Sequence, residues 1–163
     1  MSTKGGNSRP DGELRATGVG RFRAASWNVG TLTGKSVEVA EELWRRGVVV
    51  GCLQETRWKG MKCRFIGEGE ARYKVFWVGK KEGVGGVAIA VAEKWVEKVI
   101  EMVRVYDRLM MVVMVVGKEI CKFISAYAPQ VGCEKEHKEE FYDKLSETIS
   151  KVKDKEFLFV GGF

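Results

Sequence analysis

From Tyr73 to Ala128 five apolar, β-branched runs follow one another: YKVFWVG, VGGVAIAVA, WVEKVIEMVRVY, RLMMVVMVV and EICKFISAYA. Only short charged turns such as KKEG and GKE part them. β-Branched and aromatic runs bounded by glycine and charge predict strand after strand, so the middle of the chain reads as a β-meander. Whatever else the chain builds has to be built on sheet.

The segments on either side add helices. From Phe22 the stretch FRAASWNV is compact and aromatic and ends at GTLTGK, which reads as a buried first strand closed by a turn. Val37, Ala40, Leu43 and Trp44 then recur at helical spacing against Glu38, Glu41, Glu42, Arg45 and Arg46, and Gly47 supplies the stop. VVVGCLQE, from Val48 to Glu55, is nearly continuous in apolarity, as in a strand covered on both faces. Past the meander, Phe141, Leu145, Ile149 and Val152 mark a second amphipathic helix from about Glu134 to Lys153, and FLFVG follows as another buried strand. The expected fold class is α/β, a layered sandwich.

Residues 1–20 are rich in Gly, Ser, Thr and charge and lack a hydrophobic period, which predicts a disordered tail ahead of one domain over 21–163. The closing FLFVGGF is a strand type that needs neighbours on both sides, so the domain is expected to be C-terminally truncated, with exposed strand edges that favour poor stability and association.

Composition narrows the functional classes. With 45% hydrophobic and 31% charged residues the chain is of the soluble globular kind. No apolar run approaches the roughly 20 residues of a membrane span, and MSTKGGNSRP has no apolar core of a secretory signal. An intracellular protein of nucleus or cytoplasm is expected, with no membrane partner. The net charge of +6 and pI near 9.2 favour polyanionic partners, DNA among them. Cys52, Cys63, Cys121 and Cys133 form no CxxC pair and read as free thiols; the single histidine, His137, sits in EKEHKEE without a thiol at zinc-ligand spacing.

Two motifs bear on chemistry. GTLTGKS lies between strand and helix as a phosphate loop does, but Gly30 stands one residue too close to Gly34-Lys35-Ser36, with Val29 in the required slot. A turn and helix start is the better reading. Asn28 and Glu55 each close a strand of the strand-helix-strand unit, the end at which open α/β sheets place ligands. A carboxylate and an amide suit a hard cation such as Mg²⁺. The same two residues also read as a turn cap and a solvated strand end, and position alone leaves both open.

SWNVGTL, CLQETRW, GVGGVAI and SAYAPQ stand in an order and spacing that resemble the endonuclease/exonuclease/phosphatase family. The likeness is to the apurinic-endonuclease-like domain of non-LTR retrotransposons and to craniofacial development protein 2-like sequences, over Arg21 to Phe163. It implies a DNase I-like α/β sandwich and Mg²⁺-dependent phosphodiester hydrolysis on DNA, with Mn²⁺ as a possible substitute. It also implies that Asn28 orients phosphate, Glu55 binds the metal and Tyr127 lies near the scissile phosphate. Arg108 is expected to contact phosphate, or to be a plain surface charge. The family's GDFN segment falls on Gly161, Gly162 and Phe163, so its aspartate is replaced by Gly162 or deleted, and no SDH histidine is present. The resemblance therefore implies roughly the first sheet of the fold and an inactive fragment. The alternative is a domain that binds nucleic acid without catalysis.

Overall fold

The computed structural model describes residues 11–16, 20–130, 132 and 134–162, with side chains from residue 23 onward. In chain order the elements are β1 (Asp11–Ala16), β2 (Gly20–Asn28), α1 (Ser36–Arg45), β3 (Val48–Gln54), β4 (Gly60–Glu68), β5 (Ala71–Gly79) and β6 (Val87–Ala92). A short 3-10 helix at Glu93–Lys98 leads to β7 (Val99–Tyr106), β8 (Leu109–Val116), β9 (Glu119–Ala126), α2 (Lys135–Ser150) and β10 (Phe157–Gly162). Two sheets result, ordered β1-β2-β3-β6-β5-β4 and β10-β9-β8-β7.

Each helix links two parallel neighbours, α1 between β2 and β3 and α2 between β9 and β10; the remaining pairings are antiparallel. The strand alternation sorts side chains onto two faces. On β6, Val87, Ile89 and Val91 join Val112, Met114 and Phe123 in the core between the sheets. Its Ala88, Ala90 and Ala92 turn outward to the cluster under α1, with Ala40 and Leu43. Phe141 and Leu145 of α2 cover Leu109, Met111 and Ile124 on the far side of the second sheet. The molecule is thus layered helix, sheet, sheet, helix, the sandwich the sequence predicts.

Several expectations change in detail. The meander is divided between the sheets, because WVEK forms the 3-10 helix and not a strand start. Trp95 and Val96 pack against the inter-sheet core, and that contact carries the chain from β6 across to β7. Strands of both sheets are therefore present, where the resemblance implied about the first alone. β4 was not expected as a strand; its only buried side chain is Ile66, so it has no apolar period, and pairing with β5 forms it. Within the predicted disordered tail, residues 11–16 form β1 against β2, whose free edge satisfies their backbone groups, while 1–10 and 17–19 lie outside the described residues. On α1 the buried face is Val39, Ala40 and Leu43, and Val37 and Trp44 are exposed. Cys52, Cys63 and Cys121 are free thiols, Cys133 lies outside the described residues, and His137 is exposed on α2. No helix among the described residues is long and apolar enough to cross a membrane.

Candidate functional site

The strand ends of the two sheets are tied together by two buried polar side chains. Ser125 Oγ on β9 donates to the Leu53 carbonyl of β3 at 2.9 Å. Gln54 Nε2 on β3 donates to Ser125 Oγ and to the Cys52 carbonyl, both at 3.1 Å. Both residues are buried, and a buried amide or hydroxyl is tolerated only when bonded. This link fixes β3 against β9 just before each strand ends, so Glu55 and Tyr127 emerge side by side.

Glu55 and Arg57 adopt left-handed backbone angles, φ 58° and 60°, which cost a residue with a Cβ about 1 kcal/mol or more each. The surroundings hold that shape. Leu32 N–H donates to the Thr56 carbonyl at 2.9 Å, and Arg57 N–H donates to the Gly85 carbonyl at 2.8 Å. Arg57 Nε also donates to the Gly30 carbonyl at 2.8 Å. The glycines of GVGGVAI allow the approach: a Cβ on Gly86 would come within 2.9 Å of Thr56 Oγ1. Strain kept in place by this many bonds is typical of a site where a side chain has to be aimed.

The Tyr127 hydroxyl donates a short hydrogen bond to Glu55 Oε1. Arg108 Nη1 donates to the Tyr127 carbonyl at 2.9 Å, and its guanidinium carbon lies 5.3 Å from the centre of the Tyr127 ring. Burial raises the Tyr127 phenol above its usual range and donation to Glu55 adds to this, against opposing pulls from Gln130 and Arg108. The phenol therefore stays a donor at neutral pH. These groups line a cleft of about 250 Å³, with Arg57, Lys80 and Asp107 completing its charged wall. Asp107 lies 3.9 Å from Lys80. A larger hollow of about 560 Å³ between α1 and β2 is walled mainly by Trp27, Val29, Val39 and Leu43. Its Glu42 is committed to Arg45 and Arg46.

Of the four residues singled out from sequence, Glu55, Tyr127 and Arg108 meet in this cleft. Asn28 lies on the adjoining strand, opposite Gln54. Its Oδ1 accepts the Gly30 N–H at 3.1 Å, which is the turn cap that position alone had also allowed. Sequence reasoning assigned no role to Gln54, Ser125 or Arg57. The first two had a signal, a polar residue inside an otherwise apolar strand. Gly162, a possible replacement for an aspartate, has φ 112°, and a Cβ there would lie 1.6 Å from the Ala126 carbonyl oxygen. An aspartate at 162 would require this backbone to move.

Mg²⁺ keeps several waters and takes one or two carboxylates besides substrate phosphates. Glu55 has one oxygen engaged by Tyr127, and Oε2 has no hydrogen bond among the described residues. One carboxylate of that kind fits a largely hydrated ion. No group of three or more His, Cys, Asp or Glu able to cage a metal occurs among the described residues.

No protein-family model and no curated protein matches the sequence. Solved structures do. The chain is similar to an AP endonuclease from Archaeoglobus fulgidus, with 22% identity and a TM-score of 0.63 over 86% of this chain and 56% of that one. It is also similar to the endonuclease domain of TRAS1, a telomere-specific non-LTR retrotransposon, with 16% identity and a TM-score of 0.56 over 86% and 57%. An endonuclease/exonuclease/phosphatase family protein from Leptotrichia buccalis matches at 12% identity and a TM-score of 0.57, over 86% and 65%. At these identities the likeness is one of fold, the DNase I-like sandwich implied by the sequence segments. The chain spans between half and two thirds of the length of these three proteins.

Proposed function

We propose that the Glu55 cleft is one wall of a site for Mg²⁺-dependent phosphodiester hydrolysis on DNA, with Mn²⁺ as an alternative ion. The observation that carries this reading is the carboxylate of Glu55, gripped by the Tyr127 phenol and flanked by Arg108, at the joined ends of two sheets. The solved structures of similar fold include proteins described as an AP endonuclease and a retrotransposon endonuclease domain, which supports the same reading.

Glu55 would hold the ion through Oε2. When bound, Mg²⁺ supplies charge that polarises a phosphoryl oxygen and stabilises the leaving group. Tyr127 fixes the rotamer of Glu55 and offers a hydroxyl where charge collects on phosphate. Arg108 adds a donor fork at the cleft wall, and Asn28, with its carbonyl held in the turn, presents its amide nitrogen to the same end of the sheet. Among the described residues the cleft holds one carboxylate outside an ion pair and no histidine, so the 163 residues by themselves are expected to bind and not to turn over. That shortage of carboxylates also favours the second reading, a nucleic-acid-binding domain without catalysis. Either role belongs inside the cell, in nucleus or cytoplasm.

The two readings part in their response to metal. On the first, adding Mg²⁺ tightens binding of a labelled DNA duplex, and Glu55→Gln removes that increment while metal-free binding stays as it was. An identical response to Mg²⁺ in the parent chain and in Glu55→Gln would sink it in favour of the second.

A further inference from the structure

The positive charge of this protein is concentrated in one place. Residues 57–82 contain eight Lys or Arg and three Glu, a net +5 out of +6 for the whole chain. Arg72 pairs there with Glu93 and Lys80 with Asp107, but three of the cations have no carboxylate partner among the described residues. On α2, Lys135, Lys144 and Lys151 lie near Glu139, Glu140 and Glu147, and Arg45 and Arg46 are paired with Glu42 on α1. No carboxylate of the described residues lies within ion-pair distance of Lys59, Lys62 or Arg64, and all three are exposed.

Their placement is directional. Arg57 and Lys80 line the Glu55 cleft. Gly60 opens β4 opposite Gly79, next to Lys80, so β4 begins at the cleft mouth. Lys62 and Arg64 are alternate residues on one face of this edge strand, and at about 3.3 Å per residue Arg64 stands about 13 Å along it from Gly60. The Arg64 guanidinium lies 4.2 Å from the centre of the Trp58 ring, and its N–H groups make no hydrogen bond among the described residues. The row ends where Glu68 closes β4 and Glu70 follows in the turn into β5.

We propose that Lys59, Lys62 and Arg64 form a track for the phosphate backbone of a nucleic-acid strand leading out of the Glu55 cleft. The proposal rests on the phosphodiester reading of that cleft. The occupant is a nucleic acid and not a lipid surface because the charges form a single row along a strand that starts at the cleft. Phosphate contacts of this kind bind without base preference and weaken with salt.

The test is fluorescence anisotropy of a labelled oligonucleotide with the 163-residue chain in EDTA, repeated across KCl concentrations. The double variant Lys62→Gln/Arg64→Gln is expected to bind about tenfold more weakly, with a log-log salt slope shallower by about 2. Lys135→Gln/Lys151→Gln on α2 should bind as the parent does, with an unchanged unfolding midpoint in both double variants. Parent-like affinity and slope in Lys62→Gln/Arg64→Gln overturn the track. If Arg108→Gln weakens binding in that case, the cleft reading stands without it. A weakened track variant together with an Mg²⁺ response that survives Glu55→Gln keeps the track and removes the hydrolytic reading. Capture by anionic phospholipid vesicles with no oligonucleotide binding overturns the nucleic-acid assignment.

Discussion

Gly162 shows how little room the strand ends leave for a side chain. With φ 112° and a hypothetical Cβ 1.6 Å from the Ala126 carbonyl oxygen and 3.2 Å from Gln54 Nε2, any substitution has to move backbone. Gly162→Ala is expected to lower stability by about 2 kcal/mol or more, read as a fall in the urea midpoint at constant slope. An unchanged midpoint would mean that β10 relaxes freely. Glu55 and Tyr127 were legible in the sequence because each sits inside a short segment that carries a resemblance. Gln54 and Ser125 lie in the same segments, yet their task was hidden. They are 71 residues apart, and a buried amide has no meaning until its partner is known.

At the scale of the element, period is local and phase is not. The spacing of apolar residues over 36–45 was enough for a helix, but Val37, Val39, Leu43 and Trp44 offer two overlapping faces. Packing on β3, β4 and β5 selected the one that buries Val39, Ala40 and Leu43. Leu43, 2% exposed, has its side chain against Gly51, where a Cβ would come within 3.2 Å of it. Leu43→Ala is expected to cost about 2 to 4 kcal/mol, and Trp44→Ala, at a residue 41% exposed, less than about 0.5 kcal/mol. Denaturation of the two variants side by side checks the phase, and equal losses would refute it. The same logic explains β4. An edge strand with one buried residue has no apolar period, so only its partner β5 reveals it.

At the scale of the whole molecule, burial of thiols and phenols ties stability to alkaline pH. Burial pushes the Cys121 thiol from an ordinary 9.0 to about 11, and the Tyr106 phenol from 10.0 to about 12. Burial also raises Cys52, Tyr73 and Tyr127. Each group holds its proton more tightly when folded, so its contribution is complete below the unfolded values of 9.0 and 10.0. That contribution drains away as pH climbs through the folded values. The urea midpoint should therefore be lower at about pH 11 than at about pH 8. A midpoint that stays level over that range would show that these groups are not buried together in a common folded state.

The sequence by itself determined the strands and helices with an apolar period, the α/β layering and the segments that hold Asn28, Glu55 and Tyr127. All of these depend on residues within a turn or a strand of one another. Tertiary structure alone decided how the meander divides between two sheets, which face of α1 is buried, and that Ser125 and Gln54 bring Glu55 to Tyr127. It also decided which distant carboxylates claim a cation, Glu93 for Arg72 and Glu156 for Lys122. Those outcomes rest on contacts between segments far apart in the chain, and such contacts leave no local signature.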